Sequence, residues 1–501
     1  MTNSNFMKRI RNVMRQDNGV SGDAQRIEQI VWMIFLKVYD AQEAEWEYKA
    51  YKTKKPFKSI IPEEYRWRNW APSRDENGKI VGTAKTGDEL LGFVNRLFDA
   101  LRNLPITPQT PMRQAIVKEV FSEVSQYQKK GVVLREVVNI VDEIDFTDAE
   151  DRHMFGDIYE GILKELQSAG DAGEFYTPRA LTDFIVQKLD PQIGERFGDF
   201  SSGTGGFLTS TLKHLEKKVK TTADHEKFQT AVLGQEWKPL PYLLSITNLL
   251  LHGIDDPNVK HMDSLGKRLK DWAADCDVIG MNPPFGGATD ASVKGNFPAE
   301  FQTSETADLF MALIMQRLKR GGRAGVIIPD GFMFGTEGAK LALKRKMLKE
   351  FNLHTVVRIP ESVFAPYTPT ATNVLFFDRP EATPQEGEWA TKKTWFYRLD
   401  MPEGYKHFSK TKPMLLKHCD PVLKWWEKRK EIVNDEVGEK SRVFTVQQLL
   451  DLNCNFDQCK YPMEEIELLP PDELIAKYRA ERQKVDSEIE SILAEIEGLL
   501  K

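Results

Sequence analysis

The stretch Asn282-Pro283-Pro284-Phe285 joins residue types that can act together on an amino group. It follows the apolar run Asp277-Val278-Ile279-Gly280-Met281, which predicts a strand ending where the asparagine begins. Two successive prolines fix φ and remove two backbone donors, so the turn presents carbonyl acceptors. The Asn282 side-chain oxygen and the Pro283 carbonyl can then converge on one amine. An exocyclic amine is a poor nucleophile because its lone pair is delocalised into its ring. Two acceptors on its hydrogens hold it in place and favour the geometry in which the lone pair faces an electrophile. Phe285 offers a face on which a base can stack, and a base reached in this way has to leave its duplex. The plainer reading of the same residues is a proline-rich turn that ends a strand.

Three weaker signals precede it. Asp199-Phe200-Ser201-Ser202-Gly203-Thr204-Gly205-Gly206 is a glycine-rich turn ahead of a predicted helix, where backbone can approach a ligand closely. It is not the dinucleotide fingerprint, because G-x-G-x-x-G is absent, and a tight turn explains it equally well. Gly234-Gln235-Glu236 ends the apolar run Ala231–Leu233. An acid at the end of a second strand can accept both ribose hydroxyls of a nucleoside ligand, although alone it is simply a solvated residue. In Gly173-Glu174-Phe175-Tyr176-Thr177-Pro178-Arg179, Thr177 is a suitable N-cap and Pro178 a suitable first helical residue. The free N–H groups of such a helix can face a carboxylate.

These motifs need elements to position them. From Met154 onward, short β-branched runs alternate with helical ones. The predicted strands are Ala231–Gly234, Asp277–Met281, Ala324–Pro329, Thr355–Ile359, Asn373–Phe377 and Thr394–Leu399. A predicted helix over Asp308–Lys319 is closed by Gly321 and Gly322. Glu195-Arg196-Phe197 makes a poor buried strand. The alternation predicts a mostly parallel sheet covered on both faces, which binds ligands beyond the carboxyl ends of its strands. The segment before about residue 145 reads as helical. Ile27, Ile30, Val31, Ile34, Phe35 and Val38 form one apolar face, and Leu90, Leu91, Val94, Leu97 and Leu101 another. The stretch with Trp67, Trp70 and Pro72 between them reads as a loop. A helix containing tryptophans is predicted over Pro421–Lys430. From Pro471 a charged helix carries Ile475, Tyr478, Val485, Ile489, Ile492, Ile496 and Leu499 at spacings of three and four, with Arg482 as the polar intruder.

The chain of 501 residues is long enough for several domains, and its 41% hydrophobic and 29% charged residues allow a packed core. No run of about 18 apolar residues predicts a membrane span, and the polar, basic N-terminus lacks the apolar region of a secretory signal. Four scattered cysteines, Cys276, Cys419, Cys454 and Cys459, do not form a disulfide framework or a zinc-finger pattern. No metal is expected, and the cytoplasm is the expected compartment. The net charge of −6 argues against a protein that grips DNA with its whole surface, although it permits a local basic channel.

In combination and in this order, the four motifs resemble those of the methylation (M, or HsdM) subunit of type I restriction–modification systems, in the N6-adenine DNA methyltransferase family. Phe155–Gly161, Asn248–Asp255, Arg320–Phe332, Phe364–Thr368 and Thr372–Phe377 are also similar to that family, and the resemblance covers roughly residues 5 to 400. It implies a Rossmann-like α/β methyltransferase domain over 146–400. A helical N-terminal domain over 1–145 precedes it; a mixed extension over 401–470 and a long amphipathic helix over 471–501 follow. It implies S-adenosylmethionine as cofactor, held by Glu174, Phe175, Tyr176, Thr177, Pro178 and Arg179, by Asp199, by Ser202, Gly203, Thr204, Gly205 and Gly206, and by Glu236. Asp263 would sit by the adenine ring of the cofactor. Asn282, Pro283, Pro284 and Phe285 would hold the target adenine. The family commonly has Pro and Ala where this chain has Phe200 and Ser201.

Other readings are a protein-glutamine or RNA methyltransferase, which a DNA-only methylation assay separates, and a dinucleotide oxidoreductase, which a nicotinamide titration separates. A catalytically silent assembly subunit is at odds with intact Asn282 and Glu236. A self-sufficient adenine methyltransferase needs its own recognition domain, and the acidic chain offers no evident basic one after Phe377. The expected partners are therefore double-stranded DNA and a separate specificity subunit docked through the C-terminal helix. A restriction subunit is a third candidate.

Overall fold

The computed structural model describes residues 3–74, 79, 81, 84–144, 159, 161–163, 176–287, 289–365, 367–368, 370–409, 411–459 and 471–499. The periodic apolar residues of the first segment form the helices Asn3–Met14, Gly22–Lys52, Gly87–Arg102, Met112–Glu123 and Gly131–Asp142. The helix Gly22–Lys52 buries more than the expected single face, since Trp32, Met33 and Leu36 are buried as well. The reason is a second neighbour, the helix Pro239–Leu251, on its other side. Polar contacts tie the two regions together. Trp46 Nε1 donates to Asp255 at 3.1 Å, Arg113 pairs with Asp256 at 2.9 Å, and the Tyr242 hydroxyl donates to Glu119 at 2.7 Å. Trp67 and Trp70, expected in a loop, form a short helix and are buried. Their rings meet at 5.2 Å, Trp70 also meets Phe93, and the Trp67 N–H donates to Asp142. Aromatic burial overrides the local turn composition here.

The strands are β1 (Phe197–Asp199), β2 (Val232–Glu236), β3 (Val259–His261), β4 (Cys276–Met281), β5 (Leu318–Pro329), β6 (Asn352–Ile359), β7 (Thr372–Asp378), β8 (Lys393–Arg398), β9 (Ile432–Asn434) and β10 (Gly438–Thr445). They form one sheet in the order β3-β2-β1-β4-β5-β7-β6-β8-β10-β9. The pairs from β3 through β5 are parallel, β7 runs antiparallel to both β5 and β6, β8 is parallel to β6, and β10 is antiparallel to β8 and β9. Alternate side chains feed two cores. Ile327, Val374 and Phe376 join the core shared with Arg179–Leu189, Gly206–Glu216 and the N-terminal helices. Val326, Ile328, Leu375 and Phe377 join the core shared with Thr306–Arg317 and Gly338–Glu350. This is the expected α/β sheet covered on both faces, mostly parallel and with an antiparallel insertion.

Two local expectations change. Glu195 and Arg196 stay outside the sheet, where Glu195 pairs with Arg323 at 2.7 Å, and a fully buried three-residue β1 starts at Phe197. Gly321 and Gly322 do not close a helix. The helix Thr306–Arg317 ends earlier, and the glycines lie inside β5, where the register against β4 shifts. Gly321 takes φ +72°, and its N–H donates to the Arg379 carbonyl at 2.8 Å, so the pair makes a bulge.

The strand order reverses between β1 and β4. The connections leaving these two strands diverge to opposite sides and open a crevice at their carboxyl ends. No helix among the described residues is long and apolar enough to cross a membrane.

Candidate functional site

The glycine-rich turn starts from β1. The Ser201 N–H donates to the Asp199 carboxylate at 3.2 Å, and the Ser202 N–H donates to the Gln235 carbonyl at 2.9 Å. Gly203 and Gly205 take φ of +52° and +78°, a region that disfavours side chains. Gly206 then opens the helix Gly206–Glu216, and a Cβ there would lie 2.2 Å from Arg179 Nη1. The turn therefore needs glycine for two separate reasons. It leaves the Ser202 and Thr204 hydroxyls buried with no hydrogen-bond partner, which are positions for ligand atoms to fill.

Two buried acids flank this turn. Glu236, 7% exposed, accepts the Gly203 N–H through Oε2 and the Lys238 N–H through Oε1, both at 2.8 Å. Burial raises its pKa above the usual carboxylate range, and the N–H donors pull it partly back. Asp199, 2% exposed, is held well above that range by burial; the Ser201 N–H counteracts and the charge of Glu236 adds to the rise. Neither carboxylate has an ion-pair partner among the described residues. Two desolvated acids in one crevice favour a ligand that brings positive charge or hydroxyl donors. Asp263 follows β3, and its Oδ1 accepts the Leu265 N–H at 2.8 Å.

Beyond β4, the Asn282 amide is fixed at its nitrogen end. Nδ2 donates to the Thr177 hydroxyl at 3.0 Å, whereas Oδ1 is buried and has no partner. The backbone of Asn282 is held too, since the Ser201 hydroxyl donates to its carbonyl at 3.2 Å. Thr177 was expected to cap a helix with Pro178 inside it. Instead the helix Arg179–Leu189 begins one residue later, with Pro178 at the cap (φ −53°, ψ 128°), and the Thr177 side chain accepts from Asn282 rather than capping the helix. Pro283 is buried, Pro284 exposed, and the half-buried Phe285 ring meets Phe364 edge-on at 5.9 Å.

These groups surround a cavity of about 370 Å³, within the usual range for small-molecule sites. Thr177, Asp199, Ser202, Gly203, Thr204, Gly206, Glu236, Asp263, Asn282 and Pro284 line it. Tyr176, Pro178 and Arg179 line a neighbouring cleft instead. Glu174 and Phe175 lie outside the described residues. Gly205, Pro283 and Phe285 support the walls without lining them.

Other lining residues were not singled out from the sequence. Trp237 and Lys238 directly follow Glu236, and Met262, Ser264 and Leu265 flank Asp263, so proximity to the acids was the available signal. Thr306 and Phe310, one turn apart on their helix, carry no local signal. Phe200 and Ser201, the departures in the glycine-rich motif, both find uses. The Arg317 guanidinium stacks over Phe200 at 3.9 Å while bonding Gln235 and Asp275, and Ser201 holds Asn282 as described. Cys454 and Cys459 are buried free thiols, and no cluster of three or more potential metal ligands occurs among the described residues.

Comparison with known proteins bears on this geometry. Residues 150–466 match the N-6 DNA methylase family model, and residues 3–141 match the HsdM N-terminal domain. The type I restriction enzyme EcoEI methylase subunit of Escherichia coli is 43% identical over 503 residues, covering 99% of this chain and 98% of that one. A solved modification subunit from Vibrio vulnificus is 39% identical, with a TM-score of 0.75 over 89% of this chain and 92% of that one. A chain from a structural study of type I R-M complex assembly and conformational transition is 34% identical. Its TM-score is 0.77 over 99% of this chain and 98% of that one.

Proposed function

Because the chain belongs to the N-6 DNA methylase family, we propose that it is the methylation subunit of a type I restriction–modification complex. It methylates the N6 of an adenine turned out of double-stranded DNA, at sites chosen by a separate specificity subunit. The family is S-adenosylmethionine-dependent, and this cofactor supplies an activated methyl group on a sulfonium that leaves as a neutral thioether. The crevice suits it. Asp199 and Glu236 offer uncompensated negative charge to a cationic ligand. The remaining lone pairs of Glu236 suit a ribose diol. Ser202 and Thr204 present hydroxyls to its polar groups.

The observation that carries the reading is the Asn282 amide. Thr177 takes its N–H, so Oδ1 is left as a buried acceptor beside the cavity. Oδ1 and the Pro283 carbonyl accept the two amine hydrogens of adenine and turn its lone pair toward the methyl carbon. Phe285, steadied by Phe364, stacks on the base. The residues thus supply position and orientation, which suffices for a substrate with a good leaving group. The surplus proton on the methylated nitrogen, which neither neutral carbonyl acceptor can keep, passes to water.

Partner recognition follows from the tail. The helix Pro471–Leu499 leaves Ile475, Tyr478, Val485, Ile489, Ile492 and Ile496 about half exposed. An isolated helix with such a seam is marginal in water, so we assign it to a long helix of the specificity subunit. We also assign a restriction subunit to the complex and take the cytoplasm, where its DNA substrate lies, as its compartment. The test is methyl transfer to genomic DNA by the chain with its specificity subunit. Asn282→Ala should abolish transfer and leave cofactor binding nearly intact, and wild-type turnover by that variant would refute the assignment.

A further inference from the structure

We propose that the basic segment after β8 is a phosphate-contacting rim for the DNA strand carrying the target nucleotide; this rests on the adenine methyltransferase reading above. Residues 401–419 contain Lys406, His407, Lys410, Lys412, Lys417 and His418 against a single acid, Glu403, in a chain whose net charge is −6. Lys410 lies outside the described residues. Lys406, Lys412 and Lys417 are exposed, and none pairs with a carboxylate among the described residues. Such uncompensated cations, exposed within twelve residues of one segment, create a local positive field despite the acidic chain.

The segment is held rather than loose. Tyr405, Phe408 and His418 form an aromatic cluster, with Phe408 stacked on His418 at 5.5 Å. The Phe408 N–H donates to the Ser362 hydroxyl at 2.8 Å, and the Leu415 N–H donates to His418 Nδ1 at 3.1 Å. Lys412 Nζ lies 5.9 Å from the Tyr405 ring, so this cation rides on the same cluster.

Its position relates it to the candidate site. A cleft of about 180 Å³ lies between the segment and the start of the helix Arg179–Leu189, lined by Tyr176, Arg179, Val363, Phe408, Leu415 and Leu416 among others. Two of these lining residues are chain neighbours of groups that hold the Asn-Pro-Pro-Phe turn. Tyr176 precedes Thr177, which holds Asn282, and Val363 precedes Phe364, which meets Phe285. The acid in the cleft, Asp183, already accepts the Ser210 hydroxyl at 2.6 Å. Lysines that alternate in the chain with the cleft-lining Phe408, Pro413, Leu415 and Leu416 fit a phosphodiester chain with a displaced base against the apolar and aromatic lining. The charge selects a polyanion over a protein surface.

The experiment uses the complex assembled with its specificity subunit and a fluorescein-labelled duplex carrying its own methylation site, mapped as N6-methyladenine in genomic DNA. The triple variant Lys406→Gln, Lys412→Gln, Lys417→Gln changes exposed side chains only. Its plot of log Kd against log salt should be shallower by up to about 2.7, since each phosphate contact contributes about 0.9. At 0.15 M salt its KM for DNA should rise on the order of 100-fold, which is that slope change at that concentration. S-adenosylmethionine affinity and kcat at saturating DNA should be unchanged. An unchanged slope and KM, with the wild type methylating normally, overturns the rim and leaves the enzyme assignment standing. Loss of co-purification with the specificity subunit, with DNA binding by the residual complex unchanged, also overturns it and makes the segment a protein contact. A wild-type complex that binds the duplex but transfers no methyl group overturns the underlying reading, and the rim with it.

Discussion

Thr177→Val tests the least obvious feature of the candidate site. Valine keeps the shape of threonine but offers no oxygen to Asn282 Nδ2, which now donates to the Thr177 hydroxyl at 3.0 Å. Because only one partner is removed, a half-buried amide hydrogen is left unpaired, which costs about 1–3 kcal/mol, more than the roughly 0.5–1.5 kcal/mol net worth of an ordinary hydrogen bond. The amide is also free to turn its nitrogen toward the cavity, where it would face the hydrogens of the adenine amine with hydrogens of its own. A loss of roughly 1.5–3 kcal/mol in transition-state stabilisation corresponds to about a 10- to 150-fold fall in the transfer rate. The assay is single-turnover transfer of labelled methyl groups to duplex DNA, with cofactor Kd measured separately by calorimetry. Transfer should slow, Kd should stay within about twofold, because little more than a van der Waals contact changes there, and Thr177→Ser should restore the rate. A valine variant that transfers at the wild-type rate refutes the positioning role. A variant whose whole defect lies in cofactor Kd shows Thr177 to be a cofactor contact instead.

The buried acids should link cofactor binding to pH. Their pKa values are raised in the folded chain, so the stability linked to them is present at low pH and lost as pH rises through the raised values; Asp199→Asn should therefore raise the Tm of the cofactor-free protein at neutral pH. A cationic ligand needs the ionised forms, so affinity should weaken as pH falls through the same range, with proton release visible by calorimetry in two buffers. Glu236→Ala should weaken S-adenosylmethionine binding by roughly 1.5–3 kcal/mol, and unchanged affinity would move the ribose contact elsewhere. Phe285→Tyr should be tolerated, whereas Phe285→Ala should raise KM for DNA in line with stacking worth about 1–3 kcal/mol; identical steady-state kinetics for the two would make Phe285 a packing residue. Truncation before Pro471 should leave cofactor binding and Tm intact and abolish co-elution with the specificity subunit in size-exclusion chromatography. A truncated chain that assembles and methylates normally would rule out the helix as the main docking element.

The legible parts of this protein are those whose physics is local. Prolines at 283 and 284 restrict their own φ and glycines at 203 and 205 free theirs, so both turns could be read directly from residue type. Short β-branched runs likewise marked six of the ten strands among the described residues, helical spacing marked several of the helices, and their alternation predicted a sheet covered on both faces. The remainder depended on residues distant in the chain. β1 is three residues long, too short for any period to show, and its place in the sheet comes from pairing with β2 and β4. Gly321 and Gly322 resemble a helix stop, but pairing with Arg379 turns them into a bulge. Thr177 looked like a cap, and an asparagine 105 positions away claims its hydroxyl. Thr306 and Phe310 reach the cavity only because their helix packs beside it. Net charge described the chain as acidic, yet Lys406, Lys412 and Lys417 belong to a segment whose Phe408, Leu415 and Leu416 fold against Tyr176 and Arg179 in one cleft. Composition sums charge over the whole sequence, whereas a ligand meets only the charges that the tertiary structure brings within a Debye length of it.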